Sequence, residues 1–346
     1  MRNLWMACLG AAVLVGCSAE QSGRADNAVV RGVHYVGVSV SDLQQSKDFY
    51  RTFVDLKEVE GAHLHEHELI ESLAGGASLG LDSSVMKSVN AQLRLMDFST
   101  PTESAKNTKA MDVFGPGIAH LCFQVHDKTE TYQKFLANGG KHIGSLEMWK
   151  NPKTQVSYAY GHDLDNAIVE IEHVDVAALN LETPPKNDRR IRHISLATPD
   201  IDRAVDFYAH LLQEEVPRRT GWFNPSGEAV DMVTGQADSE LKFAWFQVRN
   251  LELEIIQYVS HPTEKTVDPR PIDGLGYNMI VFDVSDMVVA RDRLLAAGGV
   301  IVSEGKKLDD ESIIFARDPD GNLLGFQKLP DQSPLSSQNF LNNGLE

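Results

Sequence analysis

The chain repeats itself, and that repetition limits the folds open to it. Tyr35-Val-Gly-Val-Ser-Val-Ser-Asp42 returns as His193-Ile-Ser-Leu-Ala-Thr-Pro-Asp200. Asp48-Phe49-Tyr50 returns as Asp206-Phe207-Tyr208, at the same offset of 158 residues. A second pair lies between these. Gly115-Pro-Gly-Ile-Ala-His120 matches Gly274-Leu-Gly-Tyr-Asn-Met279, and the helices that follow end alike, in Phe135-Leu-Ala-Asn-Gly-Gly140 and Leu294-Leu-Ala-Ala-Gly-Gly299. Four related units in one chain point to an architecture assembled from a small supersecondary block.

Each unit reads as a strand, an amphipathic helix and three further strands. Val36, Val38 and Val40 alternate with Tyr35, Gly37 and Ser39, as in a half-buried strand. Ala204, Phe207, Tyr208 and Leu211 fall on one face of a helix, and the Gly-Gly pairs stop the helices of the second and fourth units. Late strands are expected over residues 91–98, 167–173, 251–259 and 323–328. The chain has 346 residues, 42% of them hydrophobic, which is enough for two domains with cores of their own. The formal net charge of −17 argues against nucleic acid as a partner.

Strand-helix-strand-strand-strand in four copies, with Asp-Phe-Tyr in the helix and Asp318-Pro-Asp-Gly-Asn322 before the last strand, resembles the vicinal-oxygen-chelate superfamily. That superfamily includes glyoxalase I, extradiol dioxygenases and bleomycin-binding proteins. The resemblance covers roughly residues 31 to 329 and implies an α+β fold. Four βαβββ modules would form two glyoxalase-like domains with cupped mixed β-sheets and the helices outside. The expected layout is a domain over 31–176 (modules 31–108 and 115–176), a linker over 177–190 and a domain over 191–329 (modules 191–262 and 274–329). A polar tail over 330–346 would be poorly ordered.

The same resemblance implies metal ligands on the first and last strands of a module. His120 and Glu170 take those positions in the second module, and His193 and Glu254 in the third. The first module has Tyr35 and Arg94 there, and the fourth Met279 and Gly325. His34 is one residue out of step and, by the two-residue period, would share the helix-side face with Val36. If modules pair one with two and three with four, neither cup has a full set. If they pair two with three and one with four, as in fused glyoxalase I proteins, one cup is complete and the other blank. The second pairing is the simpler account, and the first stays open. Glu172 and Glu252 lie on the same face as the proposed ligands, where a register error would exchange them.

Two imidazoles and two carboxylates suit one divalent metal, Ni, Zn, Co, Fe or Mn. The resemblance makes Glu170 the first choice for a proton-transferring carboxylate, with Glu254 opposite. The expected activity is a metal-dependent lyase or isomerase of glyoxalase type on a small substrate with vicinal oxygens. The alternatives are an extradiol-type ring-cleavage dioxygenase and a non-catalytic ligand- or antibiotic-binding protein. Cys122 reads as a small core residue, and His63, His65 and His67 as a solvated segment. Trp222, Phe223, Trp245 and Phe246 would divide between core and pocket wall.

The N-terminus carries a different signal. Arg2, the apolar run Leu4 to Val15 and then Leu14-Val15-Gly16-Cys17 resemble a lipoprotein signal peptide over 1–16, with lipid on Cys17 and a flexible tether over 17–30. Ser18 after the cysteine points to the outer membrane, on its periplasmic face. Membrane contact would then be through the lipid alone, and a chain with four modules can complete its own site as a monomer.

Overall fold

The computed structural model describes residues 28–340 apart from 66, 180–188, 214–216, 218, 224–227, 266–267 and 309. Cys17, the signal segment and most of the tether lie outside the described residues.

The first module consists of β1 (Val30–Val40), α1 (Leu43–Val54), β2 (Lys57–Leu64), α2 (Glu68–Leu73), β3 (Leu81–Lys87) and β4 (Gln92–Phe98), and α3 (Glu103–Lys106) follows it. The second has β5 (Gly117–His126), α4 (Thr131–Ala137), β6 (Lys141–Ile143), the two-residue β7 (Trp149–Lys150), β8 (Ser157–His162) and β9 (Ile168–Val174). The third has β10 (Arg189–Ala197), α5 (Ile201–Leu212), β11 (Arg219–Phe223), α6 (Glu228–Thr234), β12 (Leu241–Val248) and β13 (Leu251–Tyr258). The fourth has β14 (Gly276–Val284), α7 (Met287–Ala296), β15 (Val300–Leu308), β16 (Glu311–Arg317) and β17 (Leu323–Gln327).

Local sequence explains where the helices start and stop. The Asp42 and Asp200 carboxylates accept hydrogen bonds from the Gln45 and Arg203 amides, capping α1 and α5. After α4 and α7 the chain turns at Gly139 and Gly298, with φ of 106° and 96°. The repeated Asp-Phe-Tyr also has a structural cause. Phe49 and Phe207 are buried in the core, while the Tyr50 and Tyr208 hydroxyls each donate to a carboxylate in the next module, Asp163 and Asp318, at 2.8 Å. Those carboxylates organise the turns before β9 and β17. Asp163 accepts from the amides of Asp165 and Ala167, and Asp318 from those of Asp320 and Asn322. The turn survives the loss of Pro and Gly in the second module because Asn166 adopts φ 64° where Gly321 has φ 89°.

The strands form two mixed sheets. One runs β15-β16-β17-β14-β1-β4-β3-β2 and joins the first module to the fourth, and the other runs β11-β12-β13-β10-β5-β9-β8-β6 and joins the third to the second. This is the pairing that assembles one full ligand set. First strands meet antiparallel at the centre of each sheet, and within each module the first strand is parallel to the last. The helices pair the other way, α1 with α4 and α5 with α7, and one large apolar core runs between the two sheets. Asn90 and Asn250 pin the junction: the Asn90 amide donates to the Ile191 carbonyl, and Asn250 exchanges hydrogen bonds with the Val33 backbone.

Two expectations are corrected. His34 does not share a face with Val36. A β-bulge between Val33 and Tyr35 leaves both His34 and Tyr35 turned away from the core that takes Val33 and Val36. The same bulge recurs in β10 at Arg192, between Ile191 and His193. Residues 330–340 of the tail pack against the fold. Ser336 and Ser337 donate hydrogen bonds to the buried Asp283 carboxylate, and Arg249 binds the Ser337 and Gln338 carbonyls.

Candidate metal centre

Strand register brings the four predicted ligands together. In every module the residue two beyond the first-strand position stands opposite the late-strand position: Cys122 opposite Glu170, Ser195 opposite Glu254, Gly37 opposite Arg94 and Val281 opposite Gly325. Period two then aims His120 and Glu170, and likewise His193 and Glu254, into one cup. The His120 and His193 Nε2 atoms are 3.1 Å apart. Glu170 Oε2 lies 2.9 Å from His193 Nε2 and 3.3 Å from His120 Nε2. Glu254 Oε2 lies 3.5 Å from each imidazole Nε2.

Among the described residues His120, Glu170 and His193 form a grouping spaced to hold a metal ion, and Glu254 reaches both imidazoles from outside that grouping. Ligands about 2.1 Å from a metal, at angles between octahedral and tetrahedral, stand roughly 3.0–3.4 Å from one another. The side chains are 1–2% exposed for the histidines and 9–10% for the glutamates, so the carboxylates reach nearest to solvent. Neither His120 Nδ1 nor His193 Nδ1 has a hydrogen-bond partner among the described residues. The orientation of the rings therefore comes from packing, with Tyr160 against His120 and Trp245 edge-on to His193, ring centroids 4.8 and 4.7 Å away.

Charge is balanced locally. Burial alone would lower the His120 pKa, but hydrogen bonds and charge from Glu170 and Glu254 outweigh it and raise the group to about 9. Burial likewise opposes ionisation of both glutamates, yet the facing imidazoles hold Glu170 and Glu254 below the usual carboxylate range. A cation bound here would compete with protons for the same imidazole and carboxylate atoms.

The residues beside this set show where the neighbouring acids go. Glu172 and Glu252 do not join it, because Arg192, brought in by its bulge, forms ion pairs with both and lies over the Trp245 ring. Gln124 donates to Glu172 at 2.6 Å. Cys122 is buried beside these acids. Burial, with the charges of Glu170 and Glu172, pushes its thiol pKa well up, which leaves it inert as a nucleophile. Cys122, Glu170 and Glu172 form the other ligand-type grouping among the described residues, but Glu172 is committed to Arg192 and Gln124. His63 pairs with Asp82 on the surface, and no ligand grouping among the described residues includes His63, His65 or His67.

Sequence reasoning missed Arg192 and Tyr160. Tyr160 and Trp245 are the cross-strand partners of Glu170 and Glu254, and counting across the sheet from each glutamate would have found both. Phe246 belongs to the core, as one of the two expected roles required. The Trp222 and Phe223 side chains lie outside the described residues.

The other sheet has the same register with different contents. Tyr35, Arg94, Met279 and Gly325 fill the four positions, and Arg94 lies over the Tyr35 ring with its guanidinium 3.4 Å from Glu60. Leu69 and Ile70 of α2 close that cup together with Leu308 and Phe315.

The model of the Glyoxalase/Bleomycin resistance protein/Dioxygenase superfamily matches residues 32–157 and 190–326. Among solved structures, glyoxalase I of Zea mays superposes with TM-score 0.58 at 15% identity, covering 86% of this chain and 92% of the maize chain. A Bacillus subtilis protein assigned as a dioxygenase superposes with TM-score 0.55 at 9% identity, covering 92% of this chain and 90% of its own. At such identities the likeness is one of fold. No curated protein sequence matches the chain.

Proposed function

The chain belongs to the Glyoxalase/Bleomycin resistance protein/Dioxygenase superfamily, and from that premise we propose a divalent-metal-dependent lyase or isomerase of glyoxalase type. Its substrate would be a small molecule with vicinal oxygens. The observation that carries this reading is the convergence of His120, Glu170, His193 and Glu254 from four strands, with imidazole-to-carboxylate spacings of 2.9–3.5 Å. Nickel, zinc, cobalt, iron and manganese all suit two nitrogens and two oxygens. When bound, the ion would supply Lewis-acid polarisation of two neighbouring substrate oxygens.

The remaining roles belong to the chain. His120 and His193 would hold the ion through their Nε2 atoms and fix the floor of the cup. Glu170 takes a proton from the substrate carbon beside the polarised oxygens and returns it to the neighbouring carbon, and Glu254 acts from the opposite side. Trp245, Tyr160 and the apolar wall of Val113, Ile168 and Tyr258 exclude water, so that these charges act at low dielectric. Both glutamates retain a little solvent exposure, which suits groups that must meet a substrate.

The N-terminal pattern supports anchoring through lipid on Cys17, which would place this chemistry in the cell envelope, on the periplasmic face of the outer membrane. Globomycin-sensitive processing and a mass increase on Cys17 would test that. The catalytic reading is tested by solvent-deuterium exchange at the carbon beside the carbonyl in a panel of small α-hydroxyketones, followed by NMR on metal-loaded protein. Exchange that disappears with chelator and falls at least a hundredfold in Glu170→Gln supports it. Metal-loaded protein that exchanges equally well in Glu170→Gln contradicts the assigned base. Ligand binding without any exchange would point to the non-catalytic alternative.

A further inference from the structure

A second cavity lies away from the cup, where the C-terminal end of α1 and the adjoining ends of β2 and β3 meet the central strands β5 and β10 of the other sheet. It is a cleft of about 250 Å³ whose lining includes Val54, Leu56, Val89, Phe123 and Val125. Its other lining residues include Lys57, Lys87, Arg189 and Arg190, with Asp55 the one carboxylate. In a chain with a net charge of −17, such a concentration of cations around an apolar floor runs against the rest of the molecule.

The cleft has a built wall. Arg190 is 5% exposed and donates its Nε to Gln124 at 2.9 Å, and Gln124 in turn donates to Glu172. Lys87 is held at one edge by the Pro334 carbonyl and the Phe340 ring. An ammonium has three donors, so that anchoring leaves capacity for a ligand. Arg189 is oriented by its ion pair with Asp55. Lys57, in the exposed first position of β2, completes the set.

We propose that this cleft is a binding site for a small organic anion with an apolar ring body, separate from the metal cup. The ring would cover the Val54, Val59 and Val89 surface, and a carboxylate or sulfonate would face Lys57, Lys87 and Arg189. The volume falls just under the ~300 Å³ at which small-molecule pockets begin, so the occupant has one or two rings. Apolar burial supplies the affinity, and the cations set the sign of the charge accepted.

The probe is 1-naphthoate, titrated calorimetrically into the full chain beside the neutral 1-naphthylmethanol. One binding event per chain is expected, with affinity for the anion at least tenfold above that for the alcohol. It should weaken at least tenfold in Lys57→Gln/Arg189→Gln, whose two side chains are exposed, and vanish in Val89→Trp. It should be unchanged in His120→Ala/His193→Ala. No binding, equal affinity for acid and alcohol, or loss of binding in the histidine double variant would overturn the assignment. Were Val89→Trp to fail to fold, the exposed double variant alone decides.

Discussion

The two cups share one plan and differ in what fills it. Each is built from an odd-numbered and an even-numbered module, with first strands antiparallel at the centre and the same offset between ligand positions. Each has a short helix from the odd module crossing to its partner: α2 packs on β15, and α6 packs on β7 and β8. The β10 bulge delivers Arg192 to one cup, and the β1 bulge delivers His34 to the other. What differs is chemistry. One cup gathers two imidazoles and two carboxylates, whereas the other gathers Tyr35, Met279, Leu69, Ile70 and Phe315 around a single buried guanidinium. The comparison teaches that the scaffold maintains a ligand geometry regardless of whether ligands are present. The blank cup has turned the same space into core.

Conversion to core implies that the blank cup should fail by losing stability, and the polar cup by losing metal. The largest expected effect is therefore Phe315→Ala, which removes a fully buried ring. It should cost about 3–5 kcal/mol in urea unfolding while leaving metal content unchanged. Next is Glu254→Ala, which should weaken metal binding at least a hundredfold, about 2.7 kcal/mol. Arg94→Ala, at the equivalent position, should not weaken it. Equal losses in metal affinity from both variants would break the comparison.

A third effect separates the two cups by pH. Burial, with the Arg94 charge beside it, lowers the His34 pKa to about 3, outweighing an opposing effect of the nearby Gln327 side chain. A histidine depressed in the folded state favours folding above its unfolded pKa near 6.5, and that contribution is lost as pH falls from 6.5 towards 3. Its slope is up to ~1.4 kcal/mol per pH unit. Unfolding free energies measured across that window should fall less steeply in His34→Gln than in the parent chain; parallel curves would remove His34 from the account. The smallest effect is expected from Tyr160→Phe. The hydroxyl is a long 3.4 Å from His120 Nε2, so its removal should change metal affinity by less than about 1 kcal/mol.

How much of this was legible follows from how each feature is encoded. His120, Glu170, His193 and Glu254 could be placed because the family resemblance assigns ligands to the first and last strands of a module and the internal repeat marks those positions; the parallel register then explains why they meet. The Asp-Phe-Tyr repeat marked helices whose tyrosines tie modules together through Asp163 and Asp318. The bulges were not legible. Alternation assumes an uninterrupted pleat, and one extra residue turns His34 and Arg192 onto faces that period two denies them. Nor was the Asn90–Asn250 junction, since a side chain that serves the backbone of another sheet leaves no local pattern. The packing of residues 330–340 was hidden for a related reason. The segment is polar in composition, yet its serines satisfy a buried carboxylate, Asp283. Gly325 shows why the blank cup does not revert easily. A Cβ there would lie 2.8 Å from a Val281 methyl, so a glutamate requires the neighbouring strand to give way.

The most direct test of the central claim is metal content by elemental analysis. Protein beginning at Ser18, purified without chelator and reconstituted with each candidate divalent ion, would be measured beside His120→Ala/His193→Ala and Tyr35→Ala/Met279→Ala. The account predicts about one ion per chain in the parent and in the Tyr35/Met279 variant, and none in the His120/His193 variant. Two ions per chain, or an ion that survives loss of both histidines, would contradict a single centre shared by the second and third modules.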